Sequence, residues 1–89
     1  MKLILAGLRD EKRDILNVLT FKSEGEAIRS FSQLCKDEKS EPYLFPEDFT
    51  LIKMGILETD NGVITPQMEL LARAIHFVKK GEENAQKKS

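Results

Sequence analysis

The chain of 89 residues has one cysteine, one histidine, three prolines and no tryptophan. Cys35 alone excludes an internal disulfide framework and a metal site built from several thiolates, and it favours a reducing compartment. His76 has no second histidine with which to share a metal ion. We therefore expect no bound metal and no cysteine–histidine catalytic pair.

Long apolar runs are also missing. The stretch LILAGL at residues 3–8 is too short for a membrane helix, which needs about 20 apolar residues, and too short for a secretory signal. With 40% hydrophobic and 33% charged residues, the composition is typical of a soluble globular protein. We predict one domain over residues 1–81, a disordered polar tail over residues 82–89, and no membrane contact.

Motifs for enzymatic chemistry are scarce as well. The sequence has no glycine-rich phosphate loop, and the carboxylates of Glu47, Asp48, Glu58 and Asp60 fall at predicted turns, where such residues are usual. Nothing forces the burial that paired acids need for acid–base catalysis. We therefore predict that the protein is not an enzyme and that it has no catalytic residue and no cofactor.

Two strands and a helix are predicted in the first half of the chain. Residues 2–9 form a continuous apolar run bounded by charges, which favours a central strand. Residues 15–21 alternate and pair with it as an antiparallel hairpin, although a helix over residues 11–19 is an alternative. Ser23 and Glu26 form a capping box, in which each side chain accepts the other residue's amide. The helix they start should end near Lys36 or Asp37 and be followed by a mobile loop.

The next segment predicts a second hairpin. Residues 50–59 form a long strand, and Gly55 within it indicates a bulge or a close backbone approach. Asn61-Gly62 predicts a two-residue type I′ turn, which requires a positive φ at both positions. Val63-Ile64 is then the return strand.

A final helix is predicted from Pro66 to about Lys80, with Thr65 as its cap. Its apolar arc spans about 220° at 100° per residue, which is wider than one packing surface needs. We therefore predict a homo-oligomer, most simply a two-fold dimer, whose contact comprises Leu70, Phe77, Met68 and Ile75. The alternative is that the loop at residues 37–45 covers these side chains and completes a monomer core.

These elements predict an α+β fold in which a small antiparallel sheet, with the chain order β-β-α-β-β-α, is packed by two helices. The net charge of −1 conceals an acidic middle, residues 23–65, between two mildly basic ends. A monomer with this charge is a poor non-specific DNA binder, whereas an oligomer would align several cations.

The chain carries five recognisable segments in order: LRDEK (8–12), AIRSF (27–31), PEDFTLIKMG (46–55), TDNGVIT (59–65) and ARAIHFV (72–78). Together they resemble the small nonstructural protein of the gokushoviruses, microviruses with single-stranded DNA genomes that infect bacteria. The chain departs from this family at NVLTF, where relatives often have a proline and an aromatic residue. It departs again at residues 56–58, where they often have an aromatic residue and an aspartate.

The resemblance implies a nonstructural phage accessory protein that acts in the host bacterial cytoplasm, in single-stranded DNA genome synthesis or packaging. Arg9, Lys12 and Arg29 match recurring charged positions of the family, and other cations lie on predicted helix faces. We predict that nucleic acid is bound by Arg9, Lys12, Arg29, Lys36, Arg73 and Lys80. The expected partners are single-stranded DNA and viral or host replication or packaging proteins. The alternative is a protein–protein adaptor that binds a replication factor or the procapsid without touching DNA.

Overall fold

The computed structural model describes residues 1–78, which form a four-stranded antiparallel sheet with a helix on one face. The strands are β1 (Lys2–Asp10), β2 (Ile15–Phe21), β3 (Phe49–Glu58) and β4 (Ile64–Arg73). The helices are α1 (Glu24–Lys36) and α2 (Glu41–Leu44), with 3-10 turns at Pro46–Asp48 and Ala74–His76. The predicted α+β class, the antiparallel sheet and the order β-β-α-β-β are confirmed.

The strands lie in the spatial order β2-β1-β3-β4. Because β1 is antiparallel to both β2 and β3, those two strands run parallel to each other with β1 between them. Helix α1 joins them, so β2, α1 and β3 form a split β–α–β unit. β1 is central and pairs with β2 as predicted, and the alternative helix over residues 11–19 is wrong because β2 begins at Ile15.

Helix α1 begins and ends where the sequence predicts. Ser23 Oγ accepts a hydrogen bond from the Glu26 amide at 3.1 Å, and the helix ends at Lys36 with Asp37 as its C-cap. The reciprocal half of the capping box differs, because the Glu26 carboxylate accepts from the Lys22 amide, at 3.3 Å, and not from Ser23. Both ends of α1 are therefore fixed by local hydrogen bonds.

The hydrophobic core lies between α1 and one face of the sheet. It comprises Ala6, Leu8, Ala27, Phe31, Cys35, Phe49, Leu51, Ala74 and Val78. The loop between α1 and β3 adds Tyr43 to this core, while Leu44 and Phe45 remain exposed. Phe77 packs its ring edge against Phe31, with centroids 6.0 Å apart. The chain after β4 therefore closes one end of the core.

The predicted final helix is wrong over all of its described residues, 66–78. Residues 66–73 belong to β4, which pairs with β3, and a single 3-10 turn follows at Ala74–His76. The contacts that β4 makes with β3 override its helical spacing. The apolar residues that form a wide arc on a helical wheel lie on both faces of the strand. The predicted helix end at Lys80, the domain boundary at residue 81 and the tail 82–89 lie outside the described residues.

The second hairpin has the predicted position and a different turn. Glu58 N donates to Val63 O and Gly62 N donates to Glu58 O, both at 2.8 Å, so four residues form the loop. Gly62 has a φ of +75°, but among residues 1–78 the only non-glycine with a positive φ is Asn17. The type I′ turn is therefore wrong, because Asn61 does not adopt the required φ.

The predicted close approach at Gly55 is confirmed. A Cβ atom at this position would lie 2.5 Å from the carbonyl oxygen of Thr65, and the β3–β4 register shifts between Lys53 and Gly55. A side chain on residue 55 would therefore force the two strands apart.

Candidate functional site

Three polar residues form a row across the face of the sheet opposite α1. Arg9 of β1 pairs with Thr50 of β3, and Thr50 pairs with Arg73 of β4. Their neighbours Leu8 and Leu51 pack in the core, and alternate residues of a strand point to opposite faces. Arg9, Thr50 and Arg73 therefore point away from α1, and we call them the arginine row. Its two arginines start about 10 Å apart, which is two strand spacings.

Thr50, at the centre of the arginine row, is 5% exposed. Its Oγ1 atom is the one buried side-chain nitrogen or oxygen in residues 1–78 that lacks a hydrogen-bond partner. A buried polar group without a partner costs about 1–3 kcal/mol of stability. The Thr50 hydroxyl therefore lowers the stability of the folded chain.

The two arginines are exposed and only weakly engaged by carboxylates. Arg9 Nε lies 3.3 Å from Glu11 Oε2, with both side chains about half exposed. Such surface pairs contribute only about 0–1 kcal/mol. Arg73 is exposed and forms no ion pair within residues 1–78. Arg73 is thus free to bind an anion, and Arg9 can bind one by giving up its weak contact with Glu11.

The structure brings two of the six predicted nucleic-acid-binding residues together, Arg9 and Arg73. Lys12 lies in the β1–β2 turn, with its Nζ 3.6 Å from Asp48 Oδ2. Arg29 and Lys36 are exposed on α1, on the opposite side of the sheet. Lys80 lies outside the described residues.

The charged turn after β1 has a structural role. Asp10 is buried, and it accepts hydrogen bonds from the Lys12 amide at 2.9 Å and from Arg13 Nε at 2.5 Å. The amide of Lys12, followed by the guanidinium of Arg13, lowers the pKa of the Asp10 carboxyl. Arg13 also contacts Glu41 of α2 at 2.9 Å.

Within residues 1–78 no three potential metal ligands lie close enough together to hold a metal ion.

The buried cation of the sheet, Lys53, is paired with carboxylates. The Lys53 side chain is 7% exposed, and its Nζ lies 2.9 Å from Glu24 Oε2 and 3.8 Å from Glu69 Oε1. This lysine points toward α1 and ties β3 to the start of the helix and to β4. It is therefore part of the folded framework and not of the arginine row.

The predicted oligomer residues separate into two groups. Met68, Leu70 and Ile75 are 61%, 44% and 50% exposed, whereas Phe77 packs against Phe31. Leu70 pairs with Ile52, which pairs with Gly7, so it lies one row away from the arginine row on the same face. The exposed apolar side chains of β4 thus border the two arginines.

Aromatic side chains are absent from this face of the sheet over the described residues. The chain has five phenylalanines and one tyrosine. Five of these six pack in or against the core, and the sixth, Phe45, follows α2. A base-stacking surface of the kind that many single-strand-binding proteins use is therefore not present beside the arginines.

The family model of the phage ORF5 protein matches residues 3–77, a span that contains the whole arginine row. The chain belongs to the phage ORF5 protein family. No curated protein and no solved structure matches this ORF5 protein significantly. Its origin is thus a bacteriophage, and its membership indicates a phage accessory protein.

Sequence reasoning included Arg9 and Arg73 and missed Thr50. The two arginines are 64 positions apart in the chain, and only the register of three strands places them in one row. Nothing in the local sequence distinguishes Thr50 from other strand threonines.

No helix within residues 1–78 is both long and apolar enough to span a membrane.

Proposed function

We propose that this ORF5 protein is a non-enzymatic gokushovirus accessory protein that binds single-stranded DNA in the host bacterial cytoplasm. It acts there during genome synthesis or packaging. The observation that supports the proposal is the placement of Arg9 and Arg73 in one row, both exposed, with only the half-exposed carboxylate of Glu11 paired to Arg9 among the described residues. A guanidinium group offers a planar set of donors that matches a phosphate in two parallel hydrogen bonds.

Binding of this kind gains free energy from the counterions that the phosphates release. Each phosphate contact on a single strand contributes about 0.7 to the slope of log affinity against log salt. Two arginines per chain give a weak interaction, and the net charge of −1 adds no general attraction. Several chains on one strand would multiply the contacts, so the proposal includes a homo-oligomer.

The contact between copies is proposed at the exposed apolar residues that border the arginine row, Met68 and Leu70, together with Ile75. Phe77 belonged to the same prediction, but its ring already packs on Phe31 and is a less accessible contact.

The decisive experiment measures the binding of fluorescent oligothymidylate by anisotropy at several salt concentrations between about 50 and 200 mM. The variant Arg9→Gln/Arg73→Gln is compared with Arg29→Gln/Lys36→Gln, which removes the same charge from α1. We expect the first variant to bind more weakly and to lower the salt slope by about 1.4, and the second to bind like the wild type.

The two variants separate the predicted surfaces. If only Arg29→Gln/Lys36→Gln binds the oligonucleotide more weakly, DNA contacts α1 and not the arginine row. A wild-type protein without salt-dependent binding at micromolar concentration would contradict the DNA proposal and favour the adaptor function.

The adaptor is the second candidate, and a groove between β2 and α1 favours it. The groove has a volume of about 700 Å³ and is lined mainly by apolar side chains, including Leu8, Phe31 and Leu34. Val18 and Leu19 at its edge are exposed. An apolar segment of a viral or host replication or packaging protein would fit such a surface. Val18→Glu should abolish capture of that protein and leave DNA binding unchanged.

A further inference from the structure

Thr50 has a buried hydroxyl without a hydrogen-bond partner among the described residues. Other buried polar side chains of the sheet are satisfied, for example Asp10 by Arg13 and Lys53 by Glu24. Valine has nearly the same shape as threonine and would fill the position without leaving a donor unpaired. The hydroxyl therefore adds nothing to the folded chain and would become useful when a ligand supplies an acceptor.

The neighbours of Thr50 indicate the charge of that ligand. Arg9 and Arg73 start on the adjacent strands, each about 4.8 Å away, and both project from the same face of the sheet as Thr50, with Arg9 beside the half-exposed carboxylate of Glu11. A hydroxyl donor between two guanidinium groups matches an oxyanion, whose oxygens accept several hydrogen bonds. In the next row, Ile52 and Leu70 provide apolar surroundings that strengthen charge-assisted bonds.

We propose that Arg9, Thr50 and Arg73 form one oxyanion site, and that it holds a single backbone phosphate of the bound nucleic acid in each chain. The Thr50 hydroxyl donates to one phosphate oxygen, while the two guanidinium groups bind the others. This inference rests on the function proposed above and adds to it a specific residue and a ligand class.

The ligand class is the phosphodiester backbone and not the bases. The face around the site has no aromatic side chain for stacking within residues 1–78, and base recognition requires donors and acceptors aimed at base edges. Binding through this site is therefore indifferent to sequence. Oligothymidylate and oligoadenylate of equal length should bind with similar affinity.

The test uses Thr50→Val, which removes the hydroxyl and keeps the shape. We expect the affinity for oligothymidylate to fall about tenfold, because the lost hydrogen bond has a charged acceptor. The salt slope should not change, because the hydroxyl carries no charge. Thr50→Ser should bind like the wild type, because it keeps the donor.

Thr20→Val is the matched control. Thr20 pairs with Leu5 on the same face of the sheet and is exposed on β2, outside the arginine row. It undergoes the same chemical change and should bind like the wild type. Thermal unfolding of Thr50→Val should occur at the same or a higher temperature, which shows that the weaker binding does not come from unfolding.

Each alternative outcome has its own pattern. If Arg9→Gln/Arg73→Gln weakens binding and Thr50→Val does not, the oxyanion site is wrong while the DNA-binding face stands. If neither variant weakens binding, the oxyanion site and the arginine row are both wrong as the DNA contact, whereas a wild type that does not bind DNA overturns the proposed function itself. Equal binding of an uncharged methylphosphonate oligonucleotide by the wild type would exclude backbone phosphate as the ligand. If inorganic phosphate binds in a Thr50-dependent way and the oligonucleotide does not, the nucleic-acid assignment is overturned.

Discussion

The two faces of β3 differ in whether their buried polar side chains have partners. Toward α1, Phe49 and Leu51 lie in the core, and Lys53 is paired with Glu24. Away from α1, Thr50 is buried without a partner between two exposed arginines. Because alternate residues of a strand face opposite sides, one strand serves both purposes. Substitutions toward α1 should change stability, and substitutions on the other face should change binding.

The largest expected effect is on the α1 side. Phe49→Ala removes one of the largest fully buried side chains and should lower the free energy of unfolding by about 3–5 kcal/mol, measured by urea denaturation. The control is Val63→Ala, an exposed site outside the proposed contact between copies, where a change within about 0.5 kcal/mol is expected. Equal losses in the two variants would contradict the position of the core.

A smaller loss is expected at the buried ion pair. Glu24→Gln removes the nearer carboxylate of Lys53 and leaves Glu69 at 3.8 Å, so we expect a loss of about 1–2 kcal/mol. Glu47→Gln makes the same change at an exposed residue of the 3-10 turn before β3 and should have almost no effect. A stability of Glu24→Gln equal to the wild type would show that Glu69 suffices.

On the opposite side, Met68→Glu/Leu70→Glu should alter association and not folding. Both side chains are exposed, so the free energy of unfolding of the isolated chain should change by about 0.5 kcal/mol or less per site. Light scattering at high micromolar concentration should give a mass above 10.2 kDa for the wild type and one chain for the variant. A monomeric wild type would contradict the proposed oligomer.

The smallest effect at neutral pH concerns Cys35, on the core side of α1. Burial raises the pKa of its thiol to about 11 from 9.0. Because the folded pKa is the higher one, the stabilisation is complete below pH 9 and is lost as pH rises toward 11. At pH 7 iodoacetamide should not modify the native protein and should modify the urea-unfolded chain. Rapid alkylation of the native protein would show that the thiol is accessible.

The parts of this fold that local signals determine were predictable from the sequence. The α1 start at Ser23 and its end at Lys36 follow from a capping box and from the loss of apolar periodicity. The second hairpin was located by Asn61-Gly62, although the loop contains two more residues than a type I′ turn allows. Short-range hydrogen bonds thus determine where the helix and the hairpin lie in the chain, while the pairing of the strands determines the length of the hairpin loop.

The parts that depend on strand pairing were not predictable. Residues 66–73 have helical spacing and a good helix start, and their pairing with β3 nevertheless makes them a strand. The unusually wide apolar arc was the available warning, because a strand with apolar residues on both faces produces one. The arginine row needs the register of three strands, which no local pattern of Arg9, Thr50 or Arg73 encodes.

The central place of β1 has a consequence for synthesis on the ribosome. This strand pairs with β2 soon after it emerges, but its other edge must wait for β3, which ends near Glu58. The wait ends with contacts as distant as the hydrogen bond from Thr59 Oγ1 to Met1 O, 58 positions apart. At about 5–20 residues per second, β1 remains half-paired for roughly 2–8 seconds. During that interval the unpaired N–H and C=O groups along this edge can pair with strands of other nascent chains.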